Sequence, residues 1–136
     1  MKFDRRLTDE IYTSDTVKLG KDAFQAMQNT IYHNGGVGTI TGYYDAELSI
    51  LSVSDLLLHN LNHSYESLME QTKGSLKNLF YKRDATFLDN ARFRQIKGEG
   101  EGRILTADGS PVYVRLYKED AVDTDGTPIW IMSVQM

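Results

Sequence analysis

Gly102-Arg103-Ile104-Leu105-Thr106-Ala107-Asp108-Gly109-Ser110, followed by Pro111-Val112-Tyr113-Val114-Arg115-Leu116-Tyr117-Lys118, decides the fold class. Asp108-Gly109 is the pair that tight hairpin turns favour, because glycine enters positive φ without steric cost. On its C-terminal side Val112, Val114 and Leu116 alternate with Tyr113, Arg115 and Tyr117, the period of two that a strand imposes on its side chains. Gly100 to Thr106 reads as the partner strand. A second turn signal, Asp123-Thr124-Asp125-Gly126, leads into an apolar run from Ile129 to Met136. The chain therefore ends in three antiparallel strands.

Upstream of these strands the pattern is helical. Asp84 is placed to cap a helix from Ala85 to about Ile96, with Phe87, Leu88, Ala91 and Phe93 as its buried set. Before it come short apolar clusters, each opened or separated by Ser, Asn, Thr or Gly. Asp55 starts Leu56-Leu57-Leu58 with Leu61, Ser64 caps Tyr65, Leu68 and Met69, and Leu76, Leu79 and Phe80 follow. These segments are too short for a helical bundle. Further upstream, 37–44 and 48–54 read as a hairpin of two strands around Asp45-Ala46-Glu47, with Leu48 and Ile50 on one face and Leu51 and Val53 on the other. Ser14 or Asp15 is expected to cap a preceding helix whose apolar stripe is Val17, Gly20, Phe24, Met27 and Ile31, closed by Asn34-Gly35-Gly36. Residues 1–13 carry no decisive pattern. The order of helix, two strands, short helices and three strands predicts an α+β fold, a five-stranded antiparallel sheet with the short helices on one face.

This ordered set of pieces resembles the PAS family over residues 36–136. Gly102 to Ser110 is similar to that family's strand and Asp-Gly turn, Val112-Tyr113-Val114-Arg115-Leu116 to the next strand, and Asp125-Gly126-Thr127-Pro128-Ile129 to the turn into the last. Leu51-Ser52-Val53-Ser54-Asp55-Leu56-Leu57 resembles the strand-to-helix passage, with Ser54-Asp55 in place of the usual Asn and small residue. Leu61-Asn62-His63-Ser64-Tyr65-Glu66-Ser67-Leu68 resembles a pattern that normally carries Gly-Tyr where Asn62-His63 stand. Asn62 can adopt the left-handed conformation that the glycine would supply.

The resemblance implies a sensory or regulatory domain, spanning 36–136 behind an N-terminal arm and amphipathic cap or dimerisation helix at 1–35. It implies an output domain in a longer bacterial signalling protein, such as a diguanylate cyclase, phosphodiesterase or histidine kinase. Ser133-Val134-Gln135-Met136 stops where a connecting segment would begin, so the chain is expected to be part of such a protein. In the family the space between helices and sheet often holds a small ligand. The candidate pocket is Val53, Leu57, Leu61, Phe80, Phe87, Phe93, Ile104, Val114 and Leu116. The final strands are apolar on both faces, so the face away from the short helices also needs a cover. The stripe of Val17, Phe24, Met27 and Ile31 supplies it, in cis or from a partner, and with Tyr113, Trp130 and Met132 makes the candidate homodimer interface.

Composition removes other classes. The chain has 136 residues, 40% hydrophobic and 25% charged, with a net charge of -4, enough for one domain with a true core. Its basic residues are scattered among acids, so nucleic acid is not an expected partner. No basic-plus-apolar leader and no apolar run of roughly 20 residues is present, so neither signal peptide nor membrane span is expected and the default location is cytoplasmic. The absence of cysteine removes disulfides, thiolate nucleophiles and covalent flavin or coumaroyl attachment. His33, His59 and His63 show no convergent ligand spacing, and the 85–96 helix lacks the histidine that haem-binding members carry. The glycine clusters at 35–38 and 98–102 lack the Lys-Ser/Thr of a phosphate loop and read as a loop and strand entry where helix and sheet approach closely. No Gly-x-Ser-x-Gly elbow or paired acid and base is found. A non-enzymatic module without a resident cofactor is expected. The alternatives are a pure interaction or dimerisation module with a filled core, and a small enzyme of ketosteroid-isomerase-like build.

Overall fold

The computed structural model describes residues 10–13, 18–35, 38–82 and 90–136. The expectations for Val17, Phe87 and the first half of the 85–96 helix lie outside these residues. In chain order the elements are β1 (Ile11–Thr13), α1 (Lys21–Asn34), β2 (Gly38–Tyr43), β3 (Ile50–Ser54), α2 (Asp55–Asn60), α3 (Tyr65–Thr72), a 3-10 turn at Leu76–Asn78, α4 (Asn90–Gln95), β4 (Gly98–Leu105), β5 (Pro111–Val122) and β6 (Pro128–Gln135). The sheet is antiparallel, in the order β1-β3-β2-β6-β5-β4. β2 lies between β3 and the last strand, the place that the family resemblance implies for it. The sheet has six strands where five were expected. The extra one is β1, which pairs Ile11 with Ser54 and Thr13 with Ser52 at the edge. Three residues with one tyrosine between two partly buried side chains carry too little alternation to be read as a strand.

Local chemistry explains most boundaries. Ser54 ends β3 and caps α2, its Oγ accepting from the Leu57 amide. Ser64 caps α3 in a reciprocal box with Ser67. Asn62 takes positive φ, as its side chain allows, and Gly35 closes α1 in the left-handed conformation with its amide donated to Ile31. Gly109 and Gly126 sit at positive φ in the two hairpin turns.

The register of β2 against β3 shifts between Thr41, opposite Ser52, and Gly42, opposite Ile50. The bulge leaves Leu51 without a partner and flips the alternation around it. Ile50 and Val53 therefore face the short helices together with Leu48, while Leu51 faces α1. The sequence pairing of Leu51 with Val53 on one face is corrected by this bulge.

Two cores result. On the inner face Ile40, Leu48, Val53, Leu57, Leu68, Leu76 and Trp130 pack with the short helices. On the outer face α1 lies across β5 and β6, with Ala23, Ala26 and Met27 against Leu51, Ile129 and Ile131. The expected stripe on α1 is rotated. Its N-cap is Gly20, not Ser14 or Asp15, and its buried side chains are Ala23, Ala26, Met27 and Thr30. Phe24 remains 44% exposed and Ile31 is half-buried. The sides of β6 are also reversed. Trp130 and Met132, assigned to the outer interface, are buried inward, and Ile129 and Ile131 meet the helix. The glycines at 98–102 form the entry of β4, in register with Lys118 to Val114, and a side chain at Gly100 would meet open space.

Trp130 needs the glycine opposite it. A Cβ on Gly42 would stand 2.2 Å from the indole Cζ2 and 2.2 Å from the Ser49 carbonyl oxygen. Gly42→Ala is expected to cost about 1–3 kcal/mol, the usual range for overpacking a tight core. Urea unfolding should show a lower midpoint with an unchanged slope. An unchanged midpoint would show that the indole can move aside.

Candidate functional site

Eight of the nine candidate pocket residues are described, and all eight fall in the inner cluster. Val53, Leu57, Leu61, Phe80, Phe93, Ile104, Val114 and Leu116 are buried there together. They come from β3, α2, the segment after the 3-10 turn, α4, β4 and β5, so the site joins every layer of the inner face.

One group departs from this apolar lining. Val112, Val114 and Leu116 point inward from β5, and the same period carries Lys118 inward, 1% exposed. Its Nζ donates to the Ile96 carbonyl at 2.9 Å, just past the end of α4, and to Asp120 Oδ1 at 3.0 Å. The ammonium also lies 5.0 Å from the Tyr44 ring centroid and 5.1 Å from that of Phe93. Phe93 in turn meets Trp130 edge-on at 5.5 Å. The Tyr44 hydroxyl donates to the same Asp120 Oδ1, and the Arg94 guanidinium covers the Tyr44 ring at 4.6 Å. Asp120 itself is at the rim, its side chain 39% exposed.

Burial pushes the Lys118 ammonium down from the ordinary lysine range, Asp120 opposes that shift, and Lys97 and Arg94 add to it. Burial and the hydrogen bond to Asp120 push the Tyr44 phenol far above its ordinary range. A lysine in a hydrophobic core is held there only by partners of this kind. Sequence reading missed Lys118 as a site residue although its signal was present, the even-numbered side of β5 continued by one step. Tyr44 and Asp120 had no comparable signal, since their meeting depends on how β2 and β5 flank β6.

The candidate interface residues scatter. Phe24 and Tyr113 are exposed on the outer side, Tyr113 at 55%, whereas Met27 is buried beneath α1 and Trp130 and Met132 lie in the inner core. Among the described residues no cluster of three or more His, Asp or Glu side chains is arranged to hold a metal, and no helix is long and apolar enough to cross a membrane.

No family model matches the sequence, and no curated protein matches it. A solved structure does. The PAS domain of an HTR-like protein from Haloarcula marismortui superposes with a TM-score of 0.57 at 14% identity, covering 82% of this chain and 96% of that one. The fold is that of a PAS domain. The ketosteroid-isomerase-like alternative is set aside by this match and by the short helices that separate the two groups of strands.

Within the PAS fold His63 closes the turn between α2 and α3. It is buried, its Nδ1 lies 2.7 Å from Ser67 Oγ, and its Nε2 has no hydrogen-bond partner among the described residues. Desolvation holds its pKa below the ordinary 6.5. The unfolded chain therefore binds this proton more tightly. The stabilising contribution is complete above pH 6.5 and is lost as the pH falls through the lower folded value. The urea midpoint of the wild type should fall between neutral pH and mildly acidic pH, and His63→Asn should show a flatter dependence. Equal slopes in the two proteins would place the acid sensitivity elsewhere.

Proposed function

We propose that this PAS domain is a non-catalytic sensory module. It binds a small ligand or partner at its inner face and passes the change to an output domain of a longer signalling protein, acting as a homodimer in the cytoplasm. The observation that carries the reading is the pairing of a polar anchor, Lys118, with an otherwise apolar lining on a fold whose other face is covered by a separate helix. A ligand site needs that combination of apolar surface and few fixed polar groups.

Several contacts tie α1 to the strands that carry the candidate site. Asn34 Nδ2 donates to the Ser133 and Arg115 carbonyls, Ser133 Oγ donates to the Thr30 carbonyl, and the Val122 amide donates to Asp22. His33 stacks on Tyr117 at 4.5 Å. The helix is thus hydrogen-bonded to the two strands that also carry Lys118 and Trp130. Its solvent side presents Phe24 and Tyr32, and nearby strand β5 presents Tyr113, an apolar and aromatic surface suited to a second copy. A pure interaction module is the second reading, favoured by the close packing of the eight lining residues.

Light scattering at high micromolar concentration should give a dimer for the wild type and a monomer for Phe24→Glu. Because Phe24 is exposed, the variant should keep the wild-type circular dichroism spectrum, so that loss of the dimer is not loss of the fold. A monomeric wild type would remove the dimer from the reading. In the parent chain, deleting residues 1–34 should change the basal output, and an unchanged output would remove α1 from the signal path.

A further inference from the structure

We propose that the rim formed by Lys118, Tyr44, Arg94 and Asp120 is an anion site, and that it takes the carboxylate or phosphate group of a small molecule whose apolar body lies against the partly exposed Tyr44 ring. The inference rests on the ligand-binding reading above and gives that ligand its chemical class.

The first support is charge. The chain carries a net charge of -4, yet residues 82–97 hold five basic side chains against two acidic ones. This most basic stretch ends beside the buried lysine, since Ile96 accepts from Lys118 and Arg94 covers Tyr44. Among the described residues of the rim, Lys118, Arg94 and Lys97 are cationic and Asp120 is the carboxylate that answers them. Three described cations against one carboxylate leave the rim with an excess of positive charge, and Lys118 is shielded from water, where a charge-assisted contact is stronger than at an open surface.

The second support is geometry. Asp120 Oδ1 accepts from both Lys118 and Tyr44, so a single exposed carboxylate holds the anion position between an ammonium and a phenol. Asp120 is attached to the rim and not to the core, and its side chain reaches solvent. An incoming carboxylate or phosphate can replace it without leaving Lys118 unpaired at any stage. The exchange keeps the ammonium charged and bonded, and it frees Asp120 to water at little desolvation cost. Beside the ammonium stands the half-buried ring of Tyr44, backed by Phe93 and Trp130 in the closed core, an aromatic edge that favours an aromatic or apolar body over a bare inorganic ion.

Removal of the internal competitor distinguishes this role from a structural one. If Asp120 only stabilises the lysine, losing its charge weakens the region and brings no ligand. If it occupies the ligand's place, losing its charge strengthens anion binding.

Trp130, the single tryptophan, meets Phe93 and so reports on the site by fluorescence. The full chain is titrated at constant ionic strength with benzoate and phenyl phosphate, and with acetate and inorganic phosphate as partners lacking the ring. Wild type should give a saturable change with at least one ring-bearing probe, the stronger of the two naming carboxylate or phosphate. Lys118→Met should bind at least about tenfold more weakly and Asp120→Asn about tenfold more tightly, each step equal to about 1.4 kcal/mol. Should Lys118→Met fail to fold, Lys118→Arg and Asp120→Asn decide the matter, because both keep a cation at the site. No saturable change in wild type and Asp120→Asn, wild-type affinity in Lys118→Met, or no gain in Asp120→Asn would each overturn the anion site. Loss of the anion response with the α1 deletion still altering output would end this inference and leave the sensory reading standing.

Discussion

Trp130 is seated in the middle of the sheet because residue 42 has no side chain. The indole lies over Gly42 of the neighbouring strand, donates its Nε1–H to the Tyr43 carbonyl at 3.0 Å and meets Phe93 edge-on. That contact joins β2, β6 and α4, the central pair of strands and the helix nearest the basic rim. It also fixes which way the last strand faces. With Trp130 inward, Met132 and Val134 follow inward, and Ile129, Ile131 and Ser133 must point toward α1. A flip of one residue would bury Ser133 in the apolar inner core and turn the indole outward, so the register is strongly specified.

The two faces then face different demands. The outer core is small, three side chains of α1 over three of the sheet, and polar contacts finish it. Thr41 and Ser52 meet at 2.6 Å between hydroxyls under the helix, and Thr30 donates to the Met27 carbonyl, so buried hydroxyls have partners. The inner core is large and mostly apolar, and Lys118 is the buried cation within it. Leucine at that position would extend the Val112, Val114, Leu116 series and fill the space without a desolvation cost. The lysine, bridged to the end of α4, makes the strength of that helix's attachment depend on charge.

How much of this was legible in the sequence depended on the range of the interaction. Local signals were readable: the serine caps at 54 and 64, the left-handed Asn62, the Gly35 terminus, the two Asp-Gly turns and the alternation of β5. So was the strand order, through the family resemblance. What escaped had either too few residues or a competing pattern. β1 is three residues long and owes its existence to the edge of β3. The bulge at Leu51 is invisible to period counting, which assumes unbroken alternation. On α1 two stripes compete, and the rule of large apolar residues chose Phe24. The buried stripe is the smaller Ala23, Ala26 and Thr30, because a helix lying close to a sheet needs short side chains beneath it. The gathering of the candidate pocket residues followed from the layer order, but the meeting of Tyr44 with Asp120 depends on β2 and β5 flanking β6 and has no sequence marker.

β5, like β6, serves both faces of the sheet. Inward it carries Val114, Leu116 and Lys118. Outward it carries Tyr117 against His33, and near its end the Val122 amide reaches Asp22 at the start of α1. Lys118 and Tyr117 are adjacent, and Asp120 and Val122 are two apart, so the rim of the inner site and both ends of α1 are tied to the same six residues of backbone. An event at the rim does not need to cross the core to reach the helix. It needs to alter the pleat or twist of this short stretch, which is hydrogen-bonded to β6 on one side and β4 on the other up to Lys118, and to β6 alone beyond it. From Glu119 to Val122 the strand has lost its outer neighbour and can twist more freely. A coupling of a few kcal/mol, the scale on which two-state proteins are switched, is within reach of so short a lever.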